Sequence, residues 1–238
     1  MAELQGIGNV VRNSVVGTIR GTGEVFDAVE ETVSNSLVTV LRATGSAGAA
    51  LGGAVSDVAR GAIHGAAEVG GDLGTAAKGT VIGALRGTRE VSGAALEAIG
   101  VSVDQLVRTA AELGGDAGAA ARSGAEGALL GAKSVGMNAL DAVAVAAGAA
   151  VEGAAKAGSD VGLAARSAVE GAIWGAKDLG VDAVEVGAAA AGGALGAAAR
   201  IGSAARRQVG LALAGAIAGV AVSADRIDVT TAGDNRCK

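Results

Sequence analysis

The sequence predicts an all-α protein made of long, Gly/Ala-rich amphipathic helices, and three observations carry that expectation. A 22-residue unit returns without insertion or deletion from residue 17 to residue 219. Within the unit, aliphatic and charged residues keep separate columns. The composition, 59 Ala and 42 Gly in 238 residues with one Phe, one Trp, no Tyr and no Pro, leaves few large side chains to fill a core. A repeat of this length sets an architecture before any single residue is considered.

Residues 1–16 read as a partial repeat that enters the array. Ten units follow over 17–222, beginning at residues 17, 39, 61, 83, 105, 127, 149, 171, 193 and 215. Their opening phrases are GTIRG, TVLRA, GAIHG, GALRG, QLVRT, GALLG, AAVEG, GAIWG, GALGA and GAIAG. Residues 223–238 make a polar tail, read as a cap, an edge strand or a frayed end. Column three is aliphatic in every unit: Ile19, Leu41, Ile63, Leu85, Val107, Leu129, Val151, Ile173, Leu195 and Ile217. Column four carries Arg20, Arg42, Arg86 and Arg108, and column twelve carries Asp72, Asp116, Asp160 and Asp182.

Twenty-two is twice eleven, and eleven residues close three α-helical turns, so a stripe of this period stays on one helix face. The aliphatic and charged columns fall on nearly opposite faces, as an amphipathic helix requires. A β-solenoid with 22-residue coils is the alternative, because the aliphatic columns are odd and the main charged columns even. Column fifteen breaks that scheme, with Glu31, Glu97, Asp141, Glu185 and Arg207 on the supposed inner side. Alanine runs such as 188–191 also favour helix. The phrases at 70–72, 114–116 and 158–160, Gly-Gly-Asp or Gly-Ser-Asp, return every 44 residues and read as a C-terminal glycine followed by an N-cap. They would fold helices of about 40 residues, roughly 60 Å each, into hairpins. The unbroken phase and the missing proline favour very long helices, kinked or turned at these sites.

Glycine costs about 1 kcal/mol relative to alanine inside a helix, so contacts outside each helix must compensate. The pairs Gly17/Gly21, Gly61/Gly65, Gly83/Gly87, Gly127/Gly131, Gly171/Gly175 and Gly215/Gly219 form GxxxG steps along one helix edge. Small residues four apart let backbones approach closely. These twelve glycines and Trp174 are the expected assembly interface. Trp174 stands in the charged column, as a contact anchor or an incidental exposed ring. Phe26 takes the usual place of a column-ten glycine and marks an atypical end unit.

Composition excludes several function classes. The formal net charge is −5 and no basic block is present, which argues against nucleic acid as partner. The lone Cys237 supports neither an internal disulfide nor a cysteine metal site. His64 is the single histidine and reads as a solvated side chain. Glu126 and Glu170 are expected to pair with Arg122 and Arg166 at i,i+4. No nucleophile elbow, phosphate loop or zinc spacing occurs, so neither catalysis nor a cofactor is expected. The first residues lack a basic start followed by an apolar run, which suggests the cytoplasm or the periphery of a membrane, with unconventional export left open. The longest uncharged run, 208–224, is short for a membrane span.

In GAIHGAAEVG, AAKGTV and GTREV, the eleven-residue phrasing resembles the lipid-binding repeats of synuclein-like proteins, and more loosely those of apolipoproteins. That resemblance implies an amphipathic helix lying along a lipid surface. The residues themselves point first to a non-enzymatic structural protein. Its glycine edges would pack against copies of itself in a filament, tube or shell, with a lipid surface as the alternative partner.

Overall fold

A computed structural model describes residues 2–22, 24–44, 49–91 and 94–222. The tail 223–238, with Cys237, lies outside the described residues. The chain is all-α, and the β-solenoid is not supported. The helices are α1 (Ala2–Thr22), α2 (Val25–Thr44), α3 (Ala49–Glu68), α4 (Leu73–Val91) and α5 (Ala95–Glu112). They continue as α6 (Ala117–Ser134), α7 (Ala139–Lys156), α8 (Val161–Asp178), α9 (Ala183–Ile201) and α10 (Ser203–Ala212). Two short antiparallel strands, β1 (Gly215–Ile217) and β2 (Val220–Val222), follow. One 22-residue period is therefore one helix plus one turn.

This corrects the expectation of very long helices. Turns do fall at 70–72, 114–116 and 158–160, but equivalent turns fall at 136–138 and 180–182. At each, a glycine with φ between 65° and 70° ends the helix: Gly70, Gly114, Gly136, Gly158 and Gly180. Its N–H and that of the next residue bond back to the last helical turn, as in Gly114 N to Ala111 O at 3.0 Å and Gly115 N to Ala110 O at 2.8 Å. That double closure is a Schellman motif, which a glycine adopts without Cβ strain. Two residues after that glycine, Asp72, Asp116, Asn138, Asp160 or Asp182 caps the next helix through its side-chain oxygen. Hydrogen bonds from Thr75, side chain first and then backbone, hold the Asp72 carboxyl below its ordinary range. Gly70, Gly114, Gly136, Gly158 and Gly180 thus sit in turns. Asp160→Ala should cost about 1 kcal/mol, read as a lower midpoint in urea unfolding followed by circular dichroism.

The turns make neighbours in sequence antiparallel. The most extensive packing lies one step further, between helices i and i+2, which run parallel. Odd-numbered helices form one layer and even-numbered helices the other. All substantial contacts join elements close in sequence, the signature of an α-solenoid. Column three is the core between the layers: Leu41, Ile63, Leu85, Val107, Leu129, Val151 and Ile173 are buried, and Leu195 is the partly exposed member.

Ion pairs tie one rung to the next within a layer. Arg122 pairs with Glu170 at 3.0 Å, Lys156 with Asp104 at 2.6 Å and Arg200 with Glu152 at 2.7 Å. Lys78 meets Glu126 at 2.5 Å, and Arg86 meets Glu30. So Glu126 and Glu170 bridge to the neighbouring helix, and Arg166 instead donates to the carbonyls of Ala212 and Ala216. The i,i+4 pairing is replaced because the stack brings residues about one double repeat apart into closer reach. The exposed pairs, such as Arg200–Glu152, each stabilise by about 0–1 kcal/mol.

The tenth unit departs from helix. Gly215, Ile217 and Val220 lie in the β1–β2 hairpin, with Ile217 and Val220 buried. Lys177 donates to Ala218 O at 2.5 Å and fastens the hairpin to α8. At the other end, residues 2–16 belong to the full-length helix α1. No helix among the described residues is long and apolar enough to cross a membrane.

Candidate interaction surfaces

The glycine pairs sort into three environments. Those within the array face the parallel helix two before. A methyl group built at Gly83 would lie 2.5 Å from Glu30 O, at Gly87 2.9 Å from Ser34 O, and at Gly127 3.0 Å from Lys78 O. At Gly65 it would meet Arg12 O at 2.9 Å, at Gly131 Leu85 Cδ1 at 2.5 Å and at Gly175 Leu129 Cδ2 at 3.1 Å. At Gly61 and Gly171 it would overlap the carbonyls of Gly8 and Arg122. Such proximity permits Cα–H···O=C contacts between parallel helices. These glycines are occupied within one chain. Gly17 and Gly21 on α1 have no atom within 4 Å of the added methyl. Gly215 and Gly219 lie in the hairpin with φ of 94° and 81°.

Column position predicts close approach better than the GxxxG pair does. Gly193, whose partner four residues on is Ala197, would overlap Ala144 O with a methyl, and Gly153 would place one 2.7 Å from Asp104 O. Both stand in the two glycine columns. The exception QLVRT explains itself in the same terms. Gln105 and Thr109 fill those columns on α5, and the buried Gln105 accepts from Ser56 on α3 at 2.8 Å while donating to Thr109 at 3.0 Å. Side chains now hold the helices apart, and α3–α5 is the least extensive same-layer interface among α1–α9.

A polar cleft of about 310 Å³ opens between α1 and α3, lined by Asn9, Arg12, Asp57, Arg60 and His64 with Gly8 and Gly61. Arg12 reaches Glu68 at 3.6 Å. Burial pushes the Asp57 carboxyl up, partly opposed by the Arg60 guanidinium. A raised folded-state pKa stabilises below the unfolded value and loses that contribution as pH rises through the folded value. Asp57→Asn is therefore expected to raise the thermal midpoint at pH 7 relative to wild type, with the gain shrinking toward pH 4. Among the described residues, no group of His, Cys, Asp and Glu is placed to hold a metal ion.

Exposed large apolar side chains are spread along the stack, and the two most exposed lie on its first and last helices. Val10 on α1 is 63% exposed and Leu211 on α10 is 79% exposed, with Val184 and Ile201 on α9 also outward. An apolar groove of about 450 Å³ runs between α1 and α2. Trp174 is 52% exposed on α8, where Leu163 is also exposed, while its neighbour Ile173 is fully buried. GAIWG thus spans three environments in five residues: core, tight helix contact and surface. No protein-family model matches the chain, and no curated protein sequence matches it.

Proposed function

We propose that this chain is a non-enzymatic structural protein that self-assembles into a filament, its partner being a copy of itself. The carrying observation is the apolar exposure of the first and last described helices. A solenoid stays monomeric when its terminal repeats present polar outer faces, whereas α1 and α10 leave Val10 and Leu211 in solvent. The glycine columns contribute by letting a parallel stack form with thin cores, and most of them are used inside the chain. Location in the cytoplasm or at the periphery of a membrane is compatible with this role. Sedimentation velocity over a hundredfold range of concentration, without lipid, tests the reading. Concentration-dependent growth beyond the monomer supports it, and a single monomeric species throughout rejects it.

A lipid surface is the second reading, favoured by Trp174 and Leu163 on one outer helix. The apolar faces of α3–α8 are already covered by neighbouring helices, so binding through them requires the stack to open. Flotation with anionic vesicles, together with loss of the folded unfolding transition, would favour that reading over self-assembly.

A further inference from the structure

The groove between α1 and α2 is lined by Ile7, Val10, Val11, Ser36, Thr39 and Val40. Its counterparts one double repeat later are Leu51, Ala54, Val55, Thr80, Gly83 and Ala84, and every one of these is buried. They are covered because α1 and α2 lie against them. The position of Val10 decides the matter. Its equivalents Ala54, Ala98, Ala142 and Val186 are 1%, 0%, 0% and 3% exposed, against 63% for Val10. Among the described residues, α1 and α2 therefore present uncovered the surface that an internal rung packs against its neighbour.

The other end offers the matching surface. On α9, Val184, Ala188 and Gly192 hold the register positions that Leu140, Ala144 and Gly148 hold on α7. Within the chain, Ala144 takes the close approach of Gly193, and Gly148 lies against Gly193 O, where an added methyl would sit at 3.1 Å. Gly17 stands in the same column as Gly193 and has open space around it. The odd-numbered layer thus ends on a surface that its own beginning fits.

We propose that α9 of one copy docks on α1 and the α1–α2 groove of the next, so that the i to i+2 packing of the odd layer continues across the molecular boundary. This rests on the self-assembly reading and specifies its contact. The interface is heterologous, so each copy offers a free end to the next, and the assembly grows as an open filament where the rotation per step does not close a ring. In the even layer, α10 is short and the β1–β2 hairpin lies against α8 and α9, so the odd layer provides the continuous path.

Two variants of the full chain, both in a Cys237→Ser background, test the contact. In Gly17→Cys with Ala188→Cys, mild oxidation should yield a ladder of oligomers joined by a 17–188 disulfide identified by peptide mass spectrometry. Residues 17 and 188 lie at opposite ends of the stack, so that bond must join two molecules. Gly17→Leu should leave the monomer's thermal midpoint within a few degrees, because the site is open, and should weaken self-association at least tenfold in sedimentation. If the parent chain associates but the crosslink is 17–17, 188–188 or absent, or Gly17→Leu associates normally, the docking is overturned while self-assembly stands. If the parent chain never associates, the self-assembly reading itself fails.

Discussion

Gly171→Ala is expected to destabilise the folded chain by about 1–3 kcal/mol, even though alanine is the better helix former by about 1 kcal/mol. The added methyl would overlap the Arg122 carbonyl on α6, a backbone atom that cannot swing away. Relief requires α6 and α8 to separate along their length, which also stretches the Arg122–Glu170 pair. Gly21→Ala is the matched control on α1, where nothing lies within 4 Å of the added methyl. There the propensity gain is unopposed, and a stabilisation of up to about 1 kcal/mol is expected. Chemical denaturation of both variants at low protein concentration reads the sign directly. Equal shifts in the same direction would mean that the rungs are not in backbone contact at Gly171.

The second large effect is expected at Ile173. It is fully buried in column three between the layers, and Ile173 Cγ1 and Cδ1 each lie 3.1 Å from the position of a methyl built at Gly187 on α9. Truncation to alanine removes three carbon atoms from a core that holds few large side chains. The cost should be about 2–5 kcal/mol, at the upper part of that range because alanine and glycine neighbours have no side chains able to move into the void. Trp174→Ala, one residue away and half exposed, should change stability by less than about 1 kcal/mol. Thermal unfolding of the two variants should therefore separate them clearly. A Trp174→Ala effect as large as that of Ile173→Ala would place the ring, and not the aliphatic column, in the core.

The helix class and its amphipathic phase were readable because column three is aliphatic in every unit and small residues fill most other inner positions. The ends of the helices were harder to read, for a physical reason. A helix of 18 residues makes five turns, and the four-residue turn of the internal repeats brings the chain back in phase at 22 residues. Phase continuity therefore looks the same whether the chain runs on or doubles back. The signal that separates the two is the pairing of a column-ten glycine with Asp or Asn two residues later. It was visible at Gly70, Gly114 and Gly158, where a second small residue follows. At Gly136-Met137-Asn138 and Gly180-Val181-Asp182 the middle residue is large, which hides the same turn in the sequence.

The interaction surfaces were legible as chemistry and not as address. Of the six GxxxG pairs, the four that begin at Gly61, Gly83, Gly127 and Gly171 approach a neighbouring helix closely, while Gly17/Gly21 face open space and Gly215/Gly219 lie in the hairpin; the sequence cannot distinguish a helix of another molecule from a helix 44 residues away. The structure places Gly61, Gly83, Gly127 and Gly171 against their own chain. Gly17 and Gly21 on α1 are the helical pair left with open space around them. Likewise, GAIAG repeats the sequence of a helical unit, yet it forms β1 and its turn beside α8, where Arg166 and Lys177 take its carbonyls.

The central claim, that each 22-residue period is one helix and one turn in a two-layer stack, is tested most directly by one distance. Spin labels at Ala119→Cys on α6 and Lys156→Cys on α7, in a Cys237→Ser background, span the turn at Gly136. If that turn forms, the two helices are antiparallel neighbours about 10 Å apart at their axes, and pulsed electron paramagnetic resonance should give a label separation below about 30 Å. If the helix runs on through Gly136, the 37 intervening steps set the labels about 55 Å apart, and that result would contradict the stack.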